Sequence, residues 1–92
     1  RQEVEAFIRE FKVKHSVVIK LTDEAVAKLV KMAGEQARSV FQVARQHFKD
    51  YQFGLKLIQK NTGQAEFVLT ETAVNDPDKF LSELVVKSYK EA

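Results

Sequence analysis

Two short runs of β-branched and apolar residues, VVIKL at 17–21 and AEFVL at 65–69, constrain the fold of this chain most strongly. Both have the length and composition of a short buried strand. The residues between them carry helical spacing, which allows the two strands to form a small parallel pair. Because two strands alone are marginally stable, the helices must supply most of the core. The sequence predicts a mostly helical α+β domain.

The first two helices are indicated by apolar stripes and by a cap. Residues 2–14 form the first, with one stripe of Val4, Phe7, Ile8 and Phe11. Thr22 is the predicted N-cap of the second helix, since its hydroxyl can accept an orphan backbone N–H. That helix is expected to end near Ala33, with Gly34 as its stop. Its predicted buried residues are Val26, Leu29, Val30 and Ala33.

A long third helix is predicted over residues 37–58, where apolar residues recur at alternating spacings of four and three. A coiled coil is one interpretation of this seam. A core helix packed against several elements suits its alanines and aromatics better. Gly54 interrupts the pattern and indicates either a close helix crossing or an early end. The seam residues are Ala37, Phe41, Ala44, Phe48, Tyr51, Leu55 and Ile58.

After the long helix, the order continues as turn, strand, short helical turn and final helix. Residues 61–63 (NTG) predict a turn, and residues 70–74 one helical turn. Asp76 and Pro77 predict the start of the last helix, because proline at the first position lacks an N–H that would be unpaired. Its predicted apolar face consists of Phe80, Leu81, Leu84, Val85 and Tyr89.

Composition bounds the class of protein. At 92 residues, 1–92 is expected to be one domain, and the first residue, Arg1, suggests a fragment of a larger protein. The chain has no cysteine, and its two histidines, His15 and His47, have no nearby ligand partner, so a metal site is not expected. No signal peptide is visible, and no apolar run approaches the length of a membrane span. These features favour a cytoplasmic protein without membrane contact.

Few residues suggest chemistry. The three glycines lie outside any phosphate-binding or dinucleotide-binding motif, and the carboxylate pairs sit at helix starts, where the helix dipole explains them. His47 is interpreted as a boundary residue and Tyr51 as a core aromatic with its hydroxyl at the edge. No catalytic activity is therefore expected of this chain alone. A basic cluster is interpreted as solvated surface: Arg9, Lys12, Lys14, His15 and Lys20.

Arg38 stands apart because it lies at the predicted start of the third helix. A planar guanidinium there suits the oxygens of a phosphate. The stretches VVIKLTDEAVAKLVKMAG and QARSVFQVARQ, together with AEFVLTETAV, resemble the C-terminal helical lid of AAA+ ATPases. The resemblance covers about residues 2–75 and leaves an extra C-terminal helix at about 77–90.

The resemblance implies a function for Arg38. In that family, the arginine of the matching "A-R" word, called sensor 2, reaches the γ-phosphate of ATP held by a neighbouring large subdomain. Here Ala37 and Arg38 match that pair. ATP and Mg²⁺ would then be cofactors only of the full-length parent. The partners would be the large ATPase subdomain and adjacent ring subunits.

Two other functions remain open from the residues themselves. A small histone-like helical domain could bind nucleic acid, although a net charge of +2 is too balanced to imply this by itself. A helical interaction or oligomerisation module could use the heptad seam of the third helix.

Overall fold

A computed structural model describes residues 2–91 of the chain, and for Glu91 it describes the backbone alone. Within that range the chain forms six helices and two strands. In chain order they are α1 (Gln2–His15), β1 (Val18–Leu21), α2 (Asp23–Gln36), α3 (Val40–His47), α4 (Tyr51–Thr62), β2 (Glu66–Leu69), α5 (Glu71–Asn75) and α6 (Pro77–Glu91).

The two strands form one parallel sheet, which confirms the predicted α+β class. Val18 lies opposite Glu66, and the register continues to Leu21 opposite Leu69. Ile19 on β1 faces the core, while Lys20 beside it is exposed. This alternation is the period of two that a half-buried strand requires.

One hydrophobic core joins the inner face of this sheet to the helices. The two phenylalanines of α1 and the apolar stripe of α2 contribute from one side, and α3, α4 and α5 from the others. The largest fully buried side chains include Phe48, Phe67, Ile19, Leu29 and Leu55. The helices thus supply most of the buried apolar surface, as the weakness of a two-stranded sheet requires.

The predicted starts of α2 and α6 are confirmed. Thr22 Oγ1 accepts a hydrogen bond from the N–H of Ala25 at 3.2 Å and caps α2. Asp76 Oδ1 accepts one from the N–H of Lys79 at 3.2 Å, and Pro77 is the first residue of α6. The single helical turn predicted near residues 70–74 is α5.

The prediction of one long third helix is wrong. Residues 48–50 separate α3 from α4, and Asp50 adopts a left-handed conformation with φ of +67°. Aspartate tolerates this region better than most residues, so the chain turns here without glycine. A coiled coil along residues 37–58 therefore has no continuous helix on which to form. The part of the seam that is buried consists of Ala44, Phe48, Tyr51, Leu55 and Ile58.

Three predictions of local detail are also wrong. Gly34 does not end α2, which continues to Gln36. Val30 is 48% exposed, because α2 turns the adjacent stripe of Leu29 and Ala33 towards the core. Tyr89 is 58% exposed, since the neighbouring Ser88 occupies the buried side of α6.

Gly54 permits a close crossing of α4 and α6, one of its two predicted roles. A Cβ at this position would lie 2.8 Å from Cδ2 of Leu81 and 2.9 Å from its Cγ. Further along the crossing, Asn61 Nδ2 donates to Ser88 Oγ at 3.1 Å. Ser88 Oγ in turn donates to the carbonyl of Val85 at 2.6 Å, so this buried hydroxyl is satisfied.

The effect of Gly54→Ala on stability should change sign when Leu81 is shortened. Gly54→Ala is expected to lower the free energy of unfolding by about 1 kcal/mol, because overpacking costs about 1–3 kcal/mol and helix propensity returns about 1. In a Leu81→Ala background the same change should stabilise by about 1 kcal/mol, since the clash is gone. Denaturant unfolding of the four proteins measures the coupling. Equal effects of Gly54→Ala in both backgrounds would contradict the close crossing.

Candidate functional site

The connection between α2 and α3 holds Arg38 between two helix caps. Ala37 adopts a left-handed conformation with φ of +53°, and its N–H reaches the carbonyl of Gly34. The N–H of Arg38 donates to the carbonyl of Ala33 at 3.0 Å. This pair of bonds is a Schellman closure of α2. It pins the backbone of Arg38 and leaves its side chain free.

Ser39, the residue after Arg38, is the N-cap of α3. Ser39 Oγ accepts the N–H of Gln42 at 3.1 Å, and Gln42 Oε1 accepts the N–H of Ser39 at 3.3 Å. This reciprocal pair is a capping box, which fixes where α3 starts. Arg38 therefore lies in the turn before α3. The prediction that it lies in the first turn of this helix is wrong. Ala37, predicted in the core seam, is exposed.

The Arg38 side chain is exposed and has no ion pair or side-chain hydrogen bond with the described residues. It stands at one end of an open depression along α3. Arginine and lysine alternate there with glutamine, and no carboxylate lines the depression. Its lining residues are Arg38, Gln42, Arg45, Gln46 and Lys49.

Arg45 links this depression to the end of α1. Its Nε lies 3.2 Å from Oε1 of Glu10, and Lys14 Nζ lies 3.8 Å from the same oxygen. The guanidinium also sits 5.5 Å from the ring centroid of Phe41. Both ion pairs are solvent-exposed, so each contributes at most about 1 kcal/mol to stability.

The histidines have structural contacts. His47 Nε2–H donates to the carbonyl of Val74, joining α3 to α5. The His15 ring packs edge-on against Phe11, with centroids 4.9 Å apart. Within residues 2–91, no group of three or more histidine, aspartate or glutamate side chains could hold a metal ion.

The other residues predicted at the surface are where the sequence placed them, except for His15. The acidic residues Glu3 and Glu5 lie in the first turn of α1, and Asp23 and Glu24 in that of α2. Lys20 extends from β1 to Glu66 on β2, with Nζ and Oε2 3.4 Å apart. The basic residues Arg9, Lys12, Lys14 and Lys20 are exposed, and His15 is half-buried.

Tyr51 is buried at the start of α4, with its hydroxyl in a hydrogen bond, as predicted for a core aromatic with a polar edge. The hydroxyl donates to the carbonyl of Pro77 at 2.7 Å and so joins α4 to α6. Burial, and to a smaller degree the carboxylates of Asp78 and Asp76, raises the pKa of Tyr51 well above its usual range.

This raised pKa predicts destabilisation in alkali. Neutral Tyr51 stabilises the fold fully below the unfolded-state pKa of about 10, and that stabilisation is lost as pH rises further towards the higher folded-state pKa. The free energy of unfolding should fall by up to about 1.4 kcal/mol per pH unit above pH 10. Urea titrations of the wild type and Tyr51→Phe measure the difference. Tyr89→Phe, an exposed control, should keep the wild-type slope, and an unchanged slope in Tyr51→Phe would contradict the assignment.

Among the described residues, no helix has the length and apolar character needed to cross a membrane. The chain matches no protein-family model, no curated protein and no solved structure. Four members of the depression were not singled out from the sequence: Gln42, Arg45, Gln46 and Lys49. Their spacing from Arg38, at four, seven, eight and eleven residues, is the helical signal that could have found them.

Proposed function

We propose that this domain is the helical lid of an AAA+ ATPase and that Arg38 contacts the γ-phosphate of ATP bound by a neighbouring large subdomain. The observation that carries the proposal is the position of Arg38. Its backbone is fixed by the caps of two helices, while its guanidinium is exposed and unpaired within residues 2–91. A positive fork held in this way suits a phosphate supplied from outside the domain.

The arrangement of elements supports the same proposal. The parallel pair of β1 and β2, joined through the helices between them, agrees with the strand and helix order that the resemblance implies. The resemblance rests on the words around Thr22 and Arg38. Thr22 caps α2, and Arg38 lies in the turn before α3. Both of these sequence matches therefore lie at boundaries between structural elements.

The residues present fit one part of a nucleotide site and lack another. Arg38 and the adjoining cations fit phosphate oxygens. No carboxylate cluster among the described residues fits Mg²⁺, so the metal would be held by the large subdomain. ATP would supply there a phosphate whose charge Arg38 neutralises. Hydrolysis in the large subdomain would remove this partner of Arg38 and would free the lid to rotate.

In this proposal the chain catalyses no reaction by itself. Its partners are the large subdomain and adjacent subunits of a cytoplasmic ring. The experiment that tests the proposal is ATP hydrolysis by the complete protein with and without Arg38→Ala. A complete protein that lacks a nucleotide-binding core would refute it at once.

A further inference from the structure

The outer face of α3 carries a polar stripe that the fold does not need. Residues 42, 45 and 46 lie on α3, residues 38 and 49 lie in the turns that flank it, and all five side chains are exposed. Arg38, Gln46 and Lys49 make no side-chain hydrogen bond or ion pair with the described residues. Gln42 uses Oε1 in the capping box, which leaves its amide NH₂ free to donate outward. The stripe therefore presents unused donors to solvent.

We infer that this stripe binds double-stranded DNA, with α3 in the major groove. An α-helix with its side chains is about 10–12 Å in diameter. The major groove is about 12 Å wide and admits one α-helix. Residues 37–39 join α2 to α3; this connection is as short as the turn of a helix-turn-helix unit and lies within the range common to helix pairs in general.

The side-chain chemistry favours bases over a generic acidic surface. Arginine forms paired hydrogen bonds with guanine, and glutamine does so with adenine. An acidic protein surface could be bound by cations alone and would not need glutamine. Here Gln42 and Gln46 alternate with Arg45 along the middle of the stripe, where base edges would lie.

Cations at the ends of the stripe are placed for phosphates. Arg38 lies at its N-terminal end and Lys49 at its C-terminal end. A second depression shares Arg45 and Lys49 and continues to Lys14 and His15 at the end of α1. Two carboxylates also line this second depression and oppose its positive charge: Glu10, beside Arg45, and Asp50, next to Lys49 in the sequence. The inference goes beyond the proposed function, because its ligand is DNA and not ATP. Both ligands use the Arg38 guanidinium, so duplex and ATP would compete for this side chain.

The test is a salt titration of duplex binding by the 92-residue chain, followed by fluorescence anisotropy. Each phosphate contact steepens the slope of log K against log salt by about 0.9. Arg38→Ala with Lys49→Ala should weaken binding and reduce the slope by about 1.8. The control removes two other exposed cations, Lys56 and Lys60 on α4, and keeps the same net charge as the test variant. It should bind as the wild type does.

A further variant is expected to tighten duplex binding. Glu10→Gln removes one of the two opposing carboxylates and frees Arg45, so it should tighten duplex binding at low salt. Three results would overturn the inference: no duplex binding at about 50 mM salt, an equal loss in the Lys56/Lys60 control, or equally tight binding of single-stranded DNA or polyglutamate. No nucleotide is present in this assay, so its outcome is independent of the effect of Arg38→Ala on ATP hydrolysis.

Discussion

Phe48→Ala is expected to lower the free energy of unfolding by about 3–5 kcal/mol, the cost of deleting a buried aromatic side chain. Phe48 caps α3 at the break before α4 and is 2% exposed. Its ring packs against Phe7 of α1 at 6.1 Å and against Tyr51 of α4 at 5.0 Å, between centroids. The loss is a large share of the total stability of a small domain, about 5–15 kcal/mol.

The chain offers a matched control for this experiment. Phe53, five residues further on, is 68% exposed on α4. Phe53→Ala should change the free energy of unfolding by no more than about 0.5 kcal/mol, as surface substitutions usually do. Denaturant unfolding followed by circular dichroism measures both variants. Similar effects of the two substitutions would contradict the burial of Phe48 and the exposure of Phe53.

The fold could be predicted where local signals act alone. Thr22 caps α2 through its own hydroxyl, and Asp76 with Pro77 begins α6 through a carboxylate and a fixed ring. Each of these starts depends on a few adjacent residues. The parallel strand pair followed from two β-branched runs too far apart for a hairpin.

The break between α3 and α4 could not be predicted in the same way. Apolar residues at alternating spacings of four and three fit one long helix and also fit two shorter helices that share a core. No glycine or proline marks residues 48–50, and the turn depends on the left-handed conformation of Asp50. Packing of Phe48 and Tyr51 into one core accompanies that turn, and such packing depends on residues distant in sequence.

The candidate site was predictable only in part. Arg38 was singled out by its resemblance to a family position, but its place in the turn depends on two caps. The left-handed residue that follows α2 is Ala37 and not Gly34, at a cost of about 1–2 kcal/mol. The helix therefore ends later than the glycine had indicated. Spacing alone does not reveal that displacement.

If this domain is the lid of an ATPase, as we propose, Arg38→Ala in that ATPase should reduce kcat for ATP hydrolysis about 10- to 100-fold. Hydrogen bonds to a charged group contribute about 1.5–3 kcal/mol, and 1.36 kcal/mol corresponds to a factor of ten in rate. Arg38→Lys should recover only part of the rate, since lysine keeps the charge and loses the planar paired geometry.

Stability distinguishes a phosphate contact from a structural role. Arg38 is exposed and unpaired within residues 2–91, so Arg38→Ala should change the free energy of unfolding of the isolated domain by no more than about 0.5 kcal/mol. Lys31→Ala removes one exposed cation from α2 and serves as the charge-matched control. It should leave both the stability and the hydrolysis rate unchanged.

The most direct test of the account is therefore the rate of ATP hydrolysis by the complete protein carrying Arg38→Ala, measured beside the Lys31→Ala control. We expect at least about a tenfold loss for Arg38→Ala, a wild-type rate for Lys31→Ala and an intact fold in both. A wild-type rate for Arg38→Ala in a folded, ATP-hydrolysing protein would contradict the assignment of Arg38 to the γ-phosphate.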